Sequence, residues 1–432
     1  MRKSVVVIVL VTVCQMVFAQ KQTVDYVVKN VSVVPMNSNV VLKNQDVLIV
    51  EGKIIAINKT GKVKVQAKQT IEGKGKFILP TLADAHVHLP EKEEELDKFF
   101  ALNLLNGVTK LRSMRGIWEH KNWKEKYNSK ESLNPKLYLS APPISRNYDL
   151  TEQQIIEYVK AAKENGFDII KMMSIKNEAL FVKFDSVCKA YDMKIAGHFI
   201  SNPKGVVIQD EIIFKSNFNS IEHLGGLIGE PEKREARIQA IKENDIYVCP
   251  TLLWYQIAYG LFDAETITKI SGMEFYDQKT KEEWLEKTKL YREKTGSKAI
   301  EEELAFYGKE MEERLRVLKQ LEAEGILLLL SPDSSSKYTI PGFSVLTEIQ
   351  LYKKAGLSNF TILQAATVNF ANYFKEITYG IIEKDKTADF ILVNENPLEN
   401  LETLGNIQGV FYKNQFLNQS DLEELAKKYI AN

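Results

Sequence analysis

A repeated unit of one helical stretch followed by one short apolar run constrains the fold of this chain more than any other feature. The helical stretch 92–106 ends at Gly107 before the apolar run 108–111, and the same order recurs around Gly166. Glycine closes a helix because it adopts the left-handed backbone conformation at little cost. The pattern predicts helix-then-strand units packed around a parallel sheet.

The short apolar runs that alternate with helical stretches number eight. They lie at residues 82–88, 108–111, 137–140, 168–172, 194–198, 220–223, 246–251 and 326–331. Eight such strands predict an α/β fold of the parallel (β/α)₈ barrel type. A doubly wound open sheet produces similar alternation, so that alternative stays open. The segment 254–294 is longer than one crossover needs and predicts inserted helices, which form either a lid or a solvated excursion.

Both ends of the chain carry strand patterns without the intervening helices. In residues 20–78 and 376–432, β-prone runs alternate with turns rich in Asn, Gly and Lys, and a helical tail follows. We predict that these two segments form one small β-sandwich domain. The barrel then spans residues 79–375.

Residues 1–19 have the three parts of a secretory signal. Arg2 and Lys3 precede an apolar run, and Ala19 supplies the small residue at the expected cleavage point. The run is short for a membrane span, and no later run is long enough to cross a bilayer. We predict export to the periplasm or the extracellular space, with no membrane span in the mature chain.

The charge balance narrows the choice of partners. Lys plus Arg and Asp plus Glu number 57 each, which gives no sign of a nucleic acid or an anionic membrane as partner. A small-molecule substrate is the expected partner, and a homo-oligomer stays open. Cys188 and Cys249 remain after signal removal and are expected to be free, packed thiols, although export would permit a bridge between them.

A His-x-His pair marks the first predicted barrel strand. His86 and His88 are two residues apart, so in an extended strand both imidazoles point to the same side. Parallel barrel strands all end at the same face, and imidazole is a common ligand of zinc. The polar residues at predicted strand ends therefore converge: His86, His88, Lys171, His198, His223 and Asp333. His120 lies among charged residues and is expected to be exposed.

At these residues the chain resembles the amidohydrolase superfamily, particularly its imidazolonepropionase-like and secreted prolidase-like metal-dependent hydrolases. The resemblance covers nearly all of the mature chain. It is carried by residues 79–88, 106–109, 166–171, 197–198, 220–223, 331–334, 388–393 and 396–398.

The resemblance implies a site with two divalent metal ions, most simply zinc. His86, His88 and Asp333 would hold one ion, and His198 and His223 the other. CO₂ would add to Lys171, and the resulting carbamate would bridge the ions. A metal-bridged hydroxide would attack the substrate carbonyl, and Asp333 would pass its proton to the leaving nitrogen.

Departures from the family pattern affect the substrate pocket more than the metal site. Pro332 precedes Asp333 at a position where relatives often have Gly or Thr. Leu224 follows His223 at a position where relatives often have Gly. Relatives commonly have an Arg-Asp pair after strand two, whereas this chain has Arg-Ser-Met-Arg at 112–115. Arg115, Tyr255 and Ser334 follow strand ends and are candidates to bind a substrate carboxylate. Glu222 receives no role at this stage.

Together these features predict an exported metal-dependent hydrolase that cleaves an amide bond, with a dipeptide as the first candidate substrate. Lactones, cyclic amides and phosphoesters suit the same site, because fold and metals do not choose the substrate. A non-catalytic secreted binding protein and a mononuclear deaminase-type enzyme are the remaining alternatives. The latter would not need Lys171.

Overall fold

A computed structural model describes residues 23–129, 131–202, 205–263 and 265–431; the predicted signal segment 1–19 lies outside them. The strands in this part of the chain are β1 Thr23–Val33, β2 Leu42–Val50, β3 Lys53–Lys59, β4 Gln66–Glu72, β5 Phe77–Pro80, β6 Leu82–Val87, β7 Val108–Ser113, β8 Lys136–Ile144, β9 Ile169–Met172, β10 Lys194–Gly197, β11 Phe218–Glu222, β12 Tyr247–Cys249, β13 Phe390–Val393, β14 Gly409–Tyr412 and β15 Gln415–Asn418.

The α-helices in the same residues lie mostly between the barrel strands. They are α1 Leu96–Leu105, α2 His120–Tyr127, α3 Glu152–Glu164, α4 Glu178–Ala190, α5 Asp210–Phe214, α6 Pro231–Glu243, α7 Leu252–Ala258, α8 Gln278–Thr295, α9 Ser297–Ala323, α10 Phe343–Lys354, α11 Asn359–Ala365, α12 Val368–Tyr373 and α13 Gln419–Lys427. The glycines that follow α1 and α3, Gly107 and Gly166, have φ of 67° and 72°, as the helix-ending pattern predicts.

The two ends of the chain share one sheet. Its strand order is β15-β14-β13-β5-β1-β2-β3, and β4 also pairs with β1. C-terminal β13 lies antiparallel to β5, and β5 leads through Thr81 into β6, the first strand of the barrel. The predicted small β domain built from both termini is confirmed, as one connected eight-stranded sheet. The boundaries at residues 78/79 and 375/376 stay a prediction.

A second sheet consists of β6 to β12 in sequence order, all parallel. The segment 326–334 closes this sheet, because Leu328 forms a parallel bridge with Val248 and Ser334 forms one with Val87. The segment was predicted as a regular strand over 326–331 and makes isolated bridges instead. Pro332, which offers no N–H, follows directly. The closed (β/α)₈ arrangement is confirmed, and an open doubly wound sheet is excluded.

Several of the side chains inside the barrel are small. One buried cluster joins residues of five barrel strands, including Ala83, Ala85, Ala196 and Cys249. Their small size leaves room for larger charged side chains among them. Arg112, Lys171 and Glu222 are all buried within the barrel strands.

His120 corrects one sequence-based expectation. It is 2% exposed, and its ring lies 4.5 Å from that of Trp123. His120, Trp123 and Tyr127 have the i, i+3, i+7 spacing of one helix face, and all three are buried on α2. The charged neighbours in sequence occupy the opposite face, so local charge was a poor guide to exposure.

Cys188 and Cys249 are both buried and unpaired, as predicted. No helix within the described ranges is long and apolar enough to cross a membrane.

Candidate active site

The six predicted metal-site residues converge at the C-terminal end of the barrel strands. His86 lies in β6 and His88 just after it, Lys171 lies in β9, His198 and His223 directly follow β10 and β11, and Asp333 lies in the closing segment. The ring of His223 is 4.9 Å from that of His86 and 4.8 Å from that of His198. All six line one cavity of about 270 Å³.

The spacing of the ligand atoms fits a metal ion. Asp333 Oδ1 lies 3.4 Å from His88 Nε2 and 3.7 Å from His86 Nε2. Ligand atoms about 2.0–2.2 Å from a tetrahedral ion lie roughly 3.3–3.6 Å from each other. Asp333 Oδ1 is buried and has no hydrogen-bond partner among the described residues. Two imidazoles and an unpaired carboxylate oxygen therefore form a donor set that suits zinc or a similar ion.

The four histidines of the site are held neutral. Burial, followed by the nearby Lys171 ammonium, lowers the pKa of His88 and of His198 to about 4. Burial also lowers the pKa of His86 and of His223 well below the ordinary histidine value. A neutral imidazole keeps the lone pair that a metal requires, so these side chains are ready to coordinate at neutral pH.

Lys171 is fully buried beside these ligands. Its Nζ lies 3.5 Å from His86 Nε2. Burial lowers the pKa of Lys171, and the neighbouring carboxylates of Glu222 and Asp333 oppose this only in part. The neutral amine is thus more accessible here than for a lysine in water, and only that form reacts with CO₂.

Glu222 fixes the orientation of His86. Its Oε2 accepts a hydrogen bond from His86 Nδ1 at 2.7 Å, which leaves Nε2 free to face Asp333. Arg112 Nη2 donates to both Glu222 oxygens at 2.8 and 2.9 Å, and Arg112 Nε donates to the Ala85 carbonyl. Burial alone would raise the pKa of Glu222, but the charges of Arg112 and Lys171 outweigh it and the net pKa is lowered. Such carboxylate–histidine pairs are typical of metal sites.

His223 is oriented by a hydroxyl. Its Nδ1 lies 2.6 Å from Thr251 Oγ1, and that hydroxyl donates its hydrogen to the Pro250 carbonyl at 2.8 Å. Because the threonine hydrogen is already committed, His223 Nδ1 is the donor. Its Nε2 is therefore free to coordinate a metal ion.

Asp84 holds the closing segment against β6. It is fully buried, accepts from Ser331 Oγ and Ser334 Oγ, and burial raises its pKa to about 7. Ser331 Oγ in turn accepts from the backbone N–H of Asp333 at 3.1 Å. The position of the candidate catalytic aspartate therefore depends on Asp84.

Several strand-end residues around the cavity have a left-handed backbone. The φ angles are 64° at His223, 56° at Leu224, 51° at Thr251 and 62° at Asp333. Non-glycine residues in this region are strained, and such strain concentrates at functional sites. At Leu224, where the family pattern often has glycine, the backbone still adopts the conformation that favours glycine.

The three candidate carboxylate-binding residues occupy different places. Arg115 and Tyr255 line the cavity. The Arg115 side chain is 62% exposed, and its ion pair is with the exposed Glu91 at 3.3 Å. Ser334 is fully buried and its hydroxyl donates to Asp84, which removes it from the substrate-contacting set.

Sequence reasoning left four supporting residues without a role: Asp84, Arg112, Glu222 and Thr251. One signal was available for Asp84 and Glu222, since a charged residue inside a run predicted to be a buried strand needs a partner. The partners themselves come from strands distant in sequence, so the pairing was not readable.

The amidohydrolase family profile matches residues 77–417, more than three quarters of the chain. This chain belongs to the amidohydrolase family. The match includes every residue of the candidate metal site described above.

Solved structures support the same amidohydrolase fold. A Xaa-Pro dipeptidase with bound methionine in its active site aligns with a TM-score of 0.67 at 17% identity, covering 91% of this chain and 99% of that one. A bottromycin amidohydrolase aligns with a TM-score of 0.73 at 18% identity, covering 94% and 89%. A prolidase complexed with N-methylphosphonate-L-proline aligns with a TM-score of 0.64 at 16% identity, covering 91% and 99%. At these identities the likeness shows the fold alone.

Among curated proteins, two adenine deaminases match parts of this amidohydrolase. The one from Desulforamulus reducens is 25% identical over 179 residues, which is 38% of this chain and 30% of that protein. The one from Geobacillus kaustophilus is 32% identical over 96 residues, which is 22% of this chain and 16% of that protein. The matched regions thus span less than a third of the curated relatives' own length.

Proposed function

We propose that this chain is an exported, metal-dependent amidohydrolase that cleaves an amide bond in a small substrate, with dipeptides as the first substrate class. The observation that carries the proposal is the unpaired Asp333 Oδ1 facing His86 and His88 at ligand spacing, with Lys171 beside them. Export rests on the signal pattern of residues 1–19.

Two divalent ions, with zinc as the expected metal, fit the donors present. One would be held by His86, His88 and Asp333, and the other by His198 and His223. When bound, the ions supply Lewis acidity, which polarises a carbonyl and lowers the pKa of water toward neutrality.

Lys171 provides the remaining ligand after reaction with CO₂. Its neutral amine forms a C–N bond to the carbon of CO₂ and loses a proton, which yields a carbamate anion. Burial favours this reaction because it disfavours the ammonium form. A carbamate on Lys171 would carry a negative charge where the ammonium form carries a positive one, and it would add an anionic ligand beside His86.

Asp333 is the proposed proton carrier. It takes a proton from the attacking water and delivers it to the leaving nitrogen. Burial raises the pKa of Asp333, although the Lys171 charge opposes this, so the carboxyl can hold the proton between the two steps.

The substrate end of the cavity suits a peptide-like molecule. Arg115 lies at the mouth, and its exposed pair with Glu91 is weak enough to be exchanged for a substrate carboxylate. Tyr255 offers a phenol on the same cavity. The dipeptidase and prolidase of the same fold make dipeptides the first class to screen. Lactones, cyclic amides and phosphoesters remain alternative substrates of the same site.

A deaminase is the second candidate function, favoured by the partial matches to adenine deaminases. An enzyme of this kind with a single ion would need no carbamate. Lys171 therefore separates the two functions.

Metal content of the protein purified with bicarbonate and without chelators tests the proposal. We expect about two ions per chain and dipeptide hydrolysis, with both lost in Lys171→Ala. Lys194→Ala is the matched control, because Lys194 lies at the opposite end of neighbouring β10 and its Nζ contacts Asn217. One ion with adenine deamination that survives Lys171→Ala would favour the deaminase. No bound metal after zinc or manganese addition would refute catalysis and favour a binding protein.

A further inference from the structure

We propose that Trp254 is the specificity-determining residue of this site and that its indole binds a large apolar side chain of the substrate. The substrate class is thereby narrowed to amides in which an aromatic or branched aliphatic residue lies beside the scissile bond. This inference rests on the proposed function and names the substrate of the same site.

The cavity is lined by apolar side chains in addition to the metal-site residues. The apolar ones are Met114, Pro143, Met173, Trp254 and Tyr255, and the exposed Arg115 adds a cation. Trp254 and Met173 are 37% and 38% exposed, although both are large and apolar. Exposed apolar side chains that line a cavity form a binding surface for an apolar group.

Trp254 lies close to the candidate metal site. Its ring is 6.1 Å from that of His223, one of the candidate ligands. In a barrel of eight positions, β12, which precedes Trp254, lies opposite β8, which carries Pro143. An apolar group between them would lie against the indole while the amide occupies the centre.

The backbone beneath Trp254 is held by a buried carboxylate. Glu348 on α10 accepts from the N–H groups of Leu252 and Leu253 at 2.7 Å each, at the start of α7. These are the helix N–H groups that have no partner within the helix. The first turn of α7, which carries Trp254 and Tyr255, is therefore fixed in place.

The neighbouring ring is held by a buried cation. Trp254 packs edge-to-face on Tyr255 at 4.9 Å, and the Arg314 guanidinium lies 3.3 Å from the centre of the Tyr255 ring. Arg314 also donates to the His223 carbonyl at 2.9 Å and to the Tyr259 hydroxyl at 3.1 Å. A wall supported on both sides presents its aromatic surface without reorganisation, which favours ligand binding.

A second tryptophan of nearly equal exposure supplies the comparison. Trp118, in the loop after β7, is 38% exposed, nearly the same as Trp254. Its ring packs on Tyr158 and Phe167 at 5.7 and 5.6 Å, and it is absent from the described lining of the cavity. The two tryptophans therefore have nearly the same exposure, but within the described residues only Trp254 lines the cavity.

Hydrolysis of Phe-Pro, Leu-Pro and Gly-Pro by Trp254→Ala, Trp254→Phe and Trp118→Ala tests the inference. We expect Trp254→Ala to lower kcat/KM for Phe-Pro and Leu-Pro by about 10- to 100-fold and for Gly-Pro by less than about 3-fold, because one apolar contact contributes to discrimination on this scale. Trp254→Phe should keep the preference, and Trp118→Ala should change nothing. An equal loss on all three dipeptides would overturn the inference and leave the hydrolase intact.

Binding of free phenylalanine, leucine and glycine to the zinc-loaded protein, followed by calorimetry, separates this inference from the proposed function. Phenylalanine and leucine should bind more tightly than glycine, and Trp254→Ala should remove the difference. That result without any dipeptide hydrolysis would support the apolar site and refute the dipeptidase. Absence of both hydrolysis and binding would overturn both.

Discussion

The C-terminal end of the barrel and the buried face of α2 both contain buried histidines, but their surroundings differ. At the barrel end, His86 Nδ1 is held by Glu222 and His223 Nδ1 by Thr251, so that both Nε2 atoms are free. On α2, His120 Nδ1 has no hydrogen-bond partner in the described part of the chain, and the ring packs on Trp123. Burial lowers the pKa in both regions. Burial alone thus favours a neutral histidine, whereas a fixed partner on Nδ1 also orients the ring and leaves Nε2 free to coordinate a metal ion.

The largest effect is expected when the carboxylate that faces the ligating nitrogens is neutralised. Asp333→Asn keeps the side-chain volume but removes the negative charge of the proposed proton acceptor and metal ligand. We expect kcat to fall by about 10²–10⁴-fold. Steady-state kinetics at saturating zinc is the measurement.

Asp168 provides the control for that substitution. It is a carboxylate at the opposite end of the barrel, where it accepts from Lys124 Nζ and from the Leu139 N–H. Asp168→Asn should cost stability and leave kcat within about 3-fold of wild type, because general acid–base catalysis requires contact with the reacting atoms. A full-rate Asp333→Asn enzyme would remove Asp333 from the mechanism.

The next largest effect is expected when the ion pair that holds Glu222, the hydrogen-bond partner of His86, is removed. Arg112→Met leaves Glu222 buried without its cation, which costs about 3–5 kcal/mol of stability. The hydrogen bond that orients His86 is then weakened, and zinc affinity should fall by about 10–100-fold. Chelator competition measures the affinity, and Arg112→Lys provides a better-folded version of the same test.

Arg237→Met separates metal support from general destabilisation. Arg237 is also buried and pairs with Asp210 and Glu230, away from the metal site. We expect a similar loss of stability with unchanged zinc affinity. Equal zinc affinity in the Arg112 and Arg237 variants would mean that Glu222 needs no cation to orient His86.

The smallest effect is expected for His120, the buried histidine on α2. Burial lowers the pKa of His120 to about 4, whereas an unfolded histidine titrates near 6.5. Between these values the unfolded chain binds the extra proton, so stability falls as pH falls. From pH 7.5 to 5, wild type should lose about 1–2 kcal/mol more than His120→Phe.

Urea unfolding of the metal-free proteins at the two pH values measures this difference, since bound metal would add its own pH dependence. Parallel losses in wild type and His120→Phe would show that His120 has the same pKa in the folded and the unfolded chain.

Much of the fold was readable along the chain because its signals are local. Helix-ending glycines and short apolar runs depend on residues a few positions apart, and they predicted the seven regular barrel strands in the described residues and their order. His86 and His88 were readable for the same reason, since strand geometry alone sets both on one side. The eighth strand was less readable because Pro332 follows it and its pairing is with Val248 and Val87, far away in sequence.

The hydrogen-bond partners of the site residues, by contrast, are determined only by the tertiary structure of the barrel. The sequence predicted that His86, Lys171, His223 and Asp333 would reach one face, because every parallel strand ends there. It did not reveal that Glu222 orients His86 or that Arg112 keeps Glu222 ionised. Nor did it reveal that Glu348 accepts hydrogen bonds from the helix turn that carries Trp254. Each of these contacts joins residues about 100 positions apart, and hydrogen bonding and burial select them only in three dimensions.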